Sequence, residues 1–298
     1  MKVLNFGSLN IDYTYSVDHI LIGGETLSAR DRNVYCGGKG LNQSLAFARA
    51  GIDIWHAGAI GKVDGEVLSN VLYESGVHLD YLEVLKDSPS GHTFIQVDRK
   101  GQNCILVYGG SNQQITKEQI DLTLDNFSKG DYLILQNEIN NIPYIMEKAY
   151  EKGMKIILNP SPMDEKIDQM PLNYVDFFLV NEIEAAQLAE GNSDEELLNN
   201  LLIKYPESHI VMTVGSRGAY YAHKDIREHH GIFDIKVVDT TAAGDTFTGY
   251  FMSAFIEGKT PSECLRFASA ASTLAVSKAG ASTSIPKRKE VEEFLELN

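Results

Sequence analysis

Apolar residues along the chain fall into short runs that alternate with segments of helical periodicity. The runs VLNFGS, DIWHAGAIG, DYLILQ, KIILNP, YVDFFLVN and HIVMTVG are typical of buried strands. Between them, GEVLSNVLYESG, IPYIMEKAYEKG and SDEELLNNLLIKY space their apolar residues three and four apart, which predicts amphipathic helices. Strands that alternate with helices predict an α/β fold: a doubly wound, mostly parallel sheet covered by helices.

Two regions do not match the pattern of a buried core. Residues 12–35 are β-prone but rich in polar side chains, and residues 92–107 alternate apolar and polar positions around Lys100-Gly101 like a hairpin. We expect these regions to form a small β-sheet lid beside the main sheet. The chain has no internal repeat, low-complexity segment or flexible linker, so residues 1–298 are predicted to form one domain.

Composition narrows the possible functions. The chain has 22% charged and 43% hydrophobic residues, which is ordinary for a globular protein, and a formal net charge of -15. This acidity argues against sequence-independent binding to nucleic acid or to an anionic membrane. No apolar stretch approaches the roughly 20 residues that cross a bilayer. The three cysteines lie far apart, without zinc or disulfide spacing, and we expect a reduced, cytoplasmic location.

The stretch DTTAAGDTF at 239–247 places small residues and an aspartate at the start of a predicted helix. A helix N-terminus carries unpaired N–H groups and a partial positive charge, which together bind anions. Ala242, Ala243 and Gly244 leave the backbone accessible to a phosphate, and Asp245 could accept a proton from an alcohol. The alternative interpretation is a tight turn in which Asp245 only caps the helix.

Two further stretches combine glycine or a strand end with polar side chains. CGGKGLNQ at 36–43 matches neither GxGxxG nor GxxxxGKS, but places Lys39 and Asn42 at one helix start, as a polyhydroxylated ligand requires. Asn10 and Asp12 follow the first strand, where ligands bind in open α/β sheets. The structural alternatives are a glycine turn before a core helix and an Asx turn after a strand.

The order of these motifs resembles that of a known enzyme family. NxD at 10–12, GGKGxN at 37–42, NxxE at 181–184, TxGSRG at 213–218 and DTTAAGD at 239–245 follow one another as in the ribokinase family of PfkB-type carbohydrate kinases. The resemblance extends from Asn10 to the SIP sequence at 284–286. GGKGLNQ, NPSP at 159–162 and TTAAGDTF favour a kinase for ribose within that family.

The resemblance implies a role for each matching residue. Asp245 matches the catalytic base, and an anion hole is implied for Ala242, Ala243 and Gly244. Sugar-binding positions are implied for Asn10, Asp12, Gly38, Lys39, Asn42, Glu138 and Asp245. Nucleotide-binding positions are implied for Asn181, Thr213, Gly215, Ser216, Gly218, Gly244 and Ser269, with Glu184 organising magnesium and phosphate. A potassium site is implied for Asp239, Thr241, Ala275, Lys278, Gly280 and Ser284, where Ala275, Lys278 and Gly280 would contribute backbone carbonyls.

The implied reaction is transfer of the γ-phosphoryl group of ATP to a primary hydroxyl of a pentose, with D-ribose as the first expectation. Mg²⁺ would accompany the nucleotide, K⁺ would act as an activator, and the lid would pair two subunits in a homodimer. A different sugar or nucleoside substrate, such as 2-deoxyribose or fructose, stays open, as does a catalytically silent sugar-binding protein on the same scaffold. Two departures concern substrate detail: GKVDGE at 61–66 is one residue short, and GGETLSA lacks the usual proline before GET.

Overall fold

The computed structural model describes residues 1–298 and contains a nine-stranded and a four-stranded sheet. The strands are β1 (Val3–Phe6), β2 (Asn10–Ser16), β3 (Asp31–Gly37), β4 (Ile54–Gly61), β5 (His78–Leu85), β6 (Gly91–Val97), β7 (Asn103–Tyr108), β8 (Tyr132–Gln136), β9 (Lys155–Asn159), β10 (Val175–Asn181), β11 (His209–Thr213), β12 (Ala219–His223) and β13 (Ile226–His230). The helices are α1 (Lys39–Arg49), α2 (Glu66–Glu74), α3 (Lys117–Leu124), α4 (Ile142–Glu151), α5 (Glu182–Leu188), α6 (Asp194–Lys204), α7 (Ala243–Ile256), α8 (Pro261–Val276) and α9 (Arg288–Leu297).

The large sheet has the strand order β13-β12-β11-β10-β9-β8-β1-β4-β5. Neighbouring strands from β11 to β5 run parallel, and only β12 and β13 pair antiparallel at one edge. The predicted mostly parallel sheet is therefore confirmed. Because the parallel strands end at the same edge, the loops that follow β1, β8, β10 and β11 lie on one side of the molecule.

Helices cover both faces of this sheet. One face packs against α3, α4, α5 and α6 in a core of 34 buried residues, and the other packs against α1, α2, α7 and α8 in a core of 33. The alternation of side chains along β1 divides them between the layers: Leu4 and Phe6 belong to the first core and Val3 to the second. The two cores are nearly equal, which is the doubly wound arrangement that the apolar strands predict.

The four-stranded sheet has the order β3-β2-β6-β7 and is built from the two regions that the sequence predicts as a side sheet. β2 pairs antiparallel with β3 and parallel with β6, and β6 forms the predicted hairpin with β7. Residues 17–30, inside the first region, contain no strand. β2 follows β1 after only three residues, so the small sheet rises directly from the centre of the large one.

The sequence pattern does not reveal three strands at the edges of the large sheet. β5 and β13 are the two edge strands, each with one unpaired flank, and β12 lies next to β13. The apolar and polar positions of all three strands are mixed. Such strands lack the continuous apolar run that marks a central parallel strand. No helix is long and apolar enough to cross a membrane.

Candidate active site

The start of α1 packs closely against the segment that links β1 to β2. A Cβ atom on Gly40 would overlap backbone atoms of Gly7 and Ser8, so only glycine allows this approach. The first N–H groups of α1 have partners within the chain: Lys39 N–H donates to Glu138 Oε2 at 2.9 Å, and Gly40 N–H donates to Ser8 Oγ at 3.2 Å. The hydroxyl of Ser8 donates in turn to Glu138 Oε2. Gly38, with φ 91°, is the N-cap residue.

Asp12 and Asn10 belong to β2, where each is held by a side chain from elsewhere. The hydroxyl of Thr93 donates to Asp12 Oδ1 at 2.6 Å, and Asn112 Nδ2 donates to Asn10 Oδ1 at 2.8 Å. Asp12 therefore does not form the Asx turn considered as its structural alternative. Burial raises the pKa of Asp12 to about 6, against the effect of the Thr93 bond and with a smaller contribution from the charge of Glu138.

Lys39 is a single cation among three carboxylates. Burial lowers its pKa, but the negative charges of Asp245, Glu138 and Glu184 outweigh that effect, and the pKa lies above its usual value. The pKa of Glu138 is raised by burial, although Lys39 and Ser8 favour its charged form. The ammonium group is thus kept charged at the point where the predicted sugar and phosphate sites would meet.

The start of α7 differs from that of α1 because its backbone is open. The N-cap residue, Ala242, has a left-handed backbone with φ 59°, which is uncommon for a residue other than glycine, and its side chain caps nothing. Ala243 N–H donates to Thr240 O at 3.2 Å, whereas the N–H groups of Gly244 and Asp245 have no acceptor within the chain. A Cβ atom on Gly244 would meet no atom within 4 Å.

Asp245 lies in the first turn of α7, and only 7% of its surface is exposed. It does not cap the helix, so the structural alternative considered for it is wrong. Its carboxylate accepts two amide hydrogen bonds from α1, from Asn42 Nδ2 to Oδ2 at 3.0 Å and from Gln43 Nε2 to Oδ1 at 2.9 Å. The two glycine-rich motifs, about 200 residues apart in the chain, therefore meet at this carboxylate.

Two adjoining cavities meet at the start of α7. The first, of about 250 Å³, is lined by Lys39, Asn159, Ser161, Asn181, Glu184 and Asp245. The second, of about 390 Å³, is lined by Gly215, Ser216, Gly218, Ser269 and apolar residues that include Ile232, Phe233, Val237 and Val276. Thr213, Thr240, Ala243, Gly244 and Phe247 line both. Of the predicted sugar-binding residues, only Lys39 and Asp245 line these two cavities; hydrogen bonds and charge connect Asn42 and Glu138 to them.

Asn181 and Glu184 line the first cavity but also stabilise the chain itself. Asn181 Oδ1 accepts from the N–H groups of Ile183 and Glu184, each at 2.9 Å, and Glu184 Oε2 accepts from Asn181 N–H at 3.0 Å. This is a capping box at the start of α5. The capping fixes both side chains at the wall of the cavity, where any ligand would meet them.

The predicted nucleotide-binding loop after β11 contains two glycines with positive φ angles, which most other residues rarely adopt. Gly215 has φ 56° and Gly218 has φ 99°, and a Cβ atom on Gly218 would overlap the carbonyl oxygen of His230 in the next hairpin. Ser269, on α8, lies across the second cavity from this loop. The structure thus brings together all predicted nucleotide-binding residues around the two cavities.

The six residues of the predicted potassium site are brought together only in part. Asp239 accepts hydrogen bonds from the backbone and hydroxyl of Thr241, at 2.9 and 2.6 Å, and from Gly280 N–H at 3.0 Å. These bonds outweigh desolvation and lower the pKa of Asp239. Ala275 O accepts from Lys278 N–H at 3.1 Å at the end of α8. Ser284 is buried and donates to Ala281 O, with no hydrogen bond to the other five residues.

Comparison with known proteins decides the family. The family model described as pfkB family carbohydrate kinase matches residues 1–288. The chain belongs to the PfkB family of carbohydrate kinases. The family fold and the phosphotransferase class that the motifs imply are therefore confirmed.

Relatives of this PfkB-family kinase carry a more specific name. Ribokinase from Haemophilus influenzae is 31% identical over 298 residues, which cover 97% of each chain. The structure of ribokinase from Thermotoga maritima has a TM-score of 0.89 and 34% identity over 99% of both chains. The structure of Arabidopsis thaliana ribokinase complexed with ribose and ATP has a TM-score of 0.89 and 29% identity, over 100% of this chain and 99% of that one.

Several residues of this PfkB-family kinase contact the site without having been predicted. Thr93 binds Asp12, Asn112 binds Asn10, and Gln43 binds Asp245. Gln43 stands inside the quoted motif CGGKGLNQ, so its position next to Asn42 was a usable signal. Residues 232–237, an apolar wall of the second cavity, lie in a loop without periodicity, and nothing in their sequence marks them as part of a site.

Proposed function

We propose that this PfkB-family kinase transfers the γ-phosphoryl group of ATP to the primary hydroxyl of D-ribose and forms D-ribose 5-phosphate. The observation that carries the proposal is the open start of α7, whose Ala243 and Gly244 line both cavities, next to Asp245, which lines the first. A carboxylate beside such a helix start can receive the proton of a hydroxyl while the backbone holds a phosphate. The relatives named ribokinase support a pentose as acceptor.

The sugar side of the reaction depends on binding and on one proton transfer. Asn10, Asp12, Gly38, Lys39, Asn42 and Glu138 would hold the hydroxyl groups, since carboxylates accept and amides and ammonium groups donate hydrogen bonds. Asp245 would accept the proton of the primary hydroxyl as that oxygen attacks phosphorus. Positioned base catalysis of this kind contributes about 10²–10⁴ in rate.

The phosphate side depends on positioning and charge. The N–H groups of Gly244 and Asp245 have no acceptor in the chain, and together with the helix dipole they would stabilise negative charge on the transferred phosphoryl group. Lys39, kept charged by three carboxylates, would add a full positive charge. The adenosine moiety would occupy the second cavity, whose apolar wall suits a purine base.

Magnesium would enter with the nucleotide. The chain has no group of three or more His, Cys, Asp or Glu residues that could hold a metal ion, and Mg²⁺ carried by phosphates and water needs no such cluster. Glu184, which lines the first cavity, is the side chain best placed to hold this ion through its water shell. When bound, the ion neutralises charge on the phosphate oxygens.

We also propose that the loop of Asp239 binds a potassium ion beside the α7 start. Asp239 is part of the segment that leads into Ala242, so a cation there would stabilise the turn that presents the open N–H groups. Replacing Na⁺ by K⁺ at constant ionic strength should raise kcat. Asp239→Asn should remove the difference between the two salts, and equal rates of the unchanged protein in both salts would exclude this activator site.

The four-stranded sheet is proposed to be the lid of the single domain and to pair with the lid of a second copy. Asp12, Thr93 and Val107 are cross-strand neighbours on one face, and on that face Val107 is 61% and Ile105 is 52% exposed. A second copy would cover these apolar side chains. Ile105→Asp should therefore halve the mass measured by sedimentation, and an unchanged mass would contradict the pairing.

The test of the proposed function is ATP consumption by the purified protein with Mg²⁺ and K⁺ on ribose, 2-deoxyribose, fructose, ribitol and simple nucleosides. We expect the fastest turnover on ribose, because a site built from carboxylates and amides strongly rejects an analogue that lacks one hydroxyl. Faster turnover on another member would replace ribose as the substrate. No turnover on any member, with ribose binding seen by calorimetry, would favour the silent sugar-binding protein.

A further inference from the structure

Gln43 is the second residue of α1 that binds Asp245, and no role has been assigned to it above. It is fully buried, and its Nε2 donates to Asp245 Oδ1 at 2.9 Å. The same amide nitrogen lies 3.5 Å from Asn159 Oδ1, at the wall of the first cavity. Gln43 therefore lies behind Asp245, between the carboxylate and the sheet.

The amide of Gln43 is held in one orientation by residues of the sheet. Gln136 Nε2, from β8, donates to Gln43 Oε1 at 2.7 Å and to Asn5 Oδ1 at 3.0 Å. Asn5 Nδ2, from β1, donates to Ser44 Oγ at 2.9 Å. All of these side chains are fully buried, so a rotated Gln43 amide would take an acceptor away from Gln136 Nε2, on a side chain whose Oε1 already has no hydrogen-bond partner.

Asn42, which binds the other carboxylate oxygen, is not held in this way. Its Nδ2 donates to Asp245 Oδ2 at 3.0 Å, but its own Oδ1 has no hydrogen-bond partner although it is buried. Asn42 is also one of the residues proposed to contact the sugar. The two oxygens of Asp245 are thus unequal: Oδ1 is tied to a fixed network, and Oδ2 faces a residue with an unsatisfied acceptor.

We propose that Gln43 is a positioning residue that holds Oδ1 of Asp245, so that Oδ2 is the oxygen that accepts the proton of the sugar hydroxyl. In this step the O–H bond of the sugar breaks, its proton bonds to Oδ2, and the sugar oxygen forms the new bond to phosphorus while ADP leaves. The inference rests on the proposed role of Asp245 as the base. It adds the buried network from β1 and β8 as the support that aims this base.

The test replaces Gln43 with methionine, which has a similar length but no donor. We expect Gln43→Met to lower kcat about tenfold to a hundredfold, because a mobile base loses part of its contribution, and to change ribose affinity little. The loss should therefore fall on kcat and leave the KM for ribose within a few-fold of that of the unchanged protein.

Ser44→Ala is the matched control, because Ser44 is equally buried on α1 and belongs to the same network without contacting Asp245. It should lower the melting temperature but leave kcat within a few-fold of that of the unchanged protein. If Gln43→Met does not fold, Gln136→Met carries the test: it removes the bond that orients the amide and should lower kcat by several-fold with little change in the KM for ribose.

Two results would overturn the inference, and they differ from failure of the proposed function. A folded Gln43→Met with the kcat of the unchanged protein, while Asp245→Asn is inactive, would remove Gln43 from its role and keep Asp245 as the base. An equal loss of kcat in Ser44→Ala would assign the effect to packing. Full activity of Asp245→Asn would instead exclude Asp245 itself.

Discussion

The helices α1 and α7 both begin after glycine-rich turns and pack against each other, but their first turns are used in opposite ways. At α1 the chain supplies its own acceptors: Glu138 and Ser8 accept hydrogen bonds from the N–H groups of Lys39 and Gly40. At α7 the N–H groups of Gly244 and Asp245 have no acceptor within the chain. One helix start is closed by protein oxygens, whereas the other is open to an anion.

This difference shows why a glycine before a helix does not by itself predict a phosphate site. Gly40 is required by packing, because a side chain there would overlap the backbone of Gly7 and Ser8. A side chain at Gly244 would meet nothing within 4 Å, so packing does not explain this glycine. In the proposed function, α1 contributes side chains that its closed turn holds in place, and α7 contributes its backbone.

The largest expected effect comes from the carboxylate where the two helix starts meet. Asp245→Asn keeps the shape of the side chain but removes its basicity, so kcat should fall by about 10²–10⁴. Ribose binding, measured by calorimetry, should stay within a few-fold of the unchanged protein. A loss of binding equal to the loss of rate would mean that Asp245 binds sugar and does not act as the base.

Gly40→Ala should disturb the packing of the closed start of α1 against the link between β1 and β2. The added methyl group overlaps backbone that cannot move away easily, and we expect roughly 1–3 kcal/mol of lost folding stability or more. The free energy of unfolding in urea measures this loss. Stability equal to that of the unchanged protein would show that the contact between α1 and the β1–β2 link adapts.

Gly244→Ala is the matched change at the open helix start. Folding stability should be unchanged or rise by about 0.5–1 kcal/mol, since alanine is favoured over glycine in a helix. Activity should fall about tenfold, because the methyl group obstructs part of the approach to the N–H groups. A fully active Gly244→Ala would show that the phosphoryl group does not approach this backbone.

The smallest expected effect is a pH dependence of ribose affinity, which concerns the sugar side of the site. Asp12, with a pKa of about 6, accepts sugar hydroxyls only in its charged form, so ribose affinity should fall about fourfold between pH 7.5 and 5.5. Its folded pKa lies above its ordinary value of 3.8, so its contribution to stability decreases as pH rises from 3.8 to about 6. Asp12→Asn should bind ribose more weakly and without this dependence; the same dependence in the variant would assign the titration to another group.

The central strands and the two glycine-rich motifs could be predicted because each depends on a local pattern. Buried parallel strands such as β8 and β10 are continuous apolar runs, and the polar strands of the small sheet differ from them visibly. The strands β12 and β13 were missed because they are short and mix apolar with polar positions, so they lack such a run. Their identity depends on the neighbour that they pair with, which lies outside their own sequence.

The contacts that complete the site could not be predicted, because they join distant parts of the chain. Thr93 is an ordinary threonine in a hairpin until β6 pairs with β2 and brings its hydroxyl to Asp12. The unpaired N–H groups of α7 likewise depend on the left-handed backbone of Ala242, a conformation that an alanine in a sequence does not suggest. The sequence thus indicated the candidate site residues, and the fold indicated which residues hold them.

The wall shared by the two cavities has a consequence for inhibitor design. The two spaces adjoin along a wall formed by Thr213, Thr240, Ala243, Gly244 and Phe247. If the proposed function holds, a molecule that joins adenosine to the sugar through a phosphate chain could extend across both and would lose its freedom of motion once, where two separate substrates lose it twice. Such a bisubstrate compound should bind far more tightly than either half, and the best length of its phosphate bridge would measure the distance over which the phosphoryl group travels.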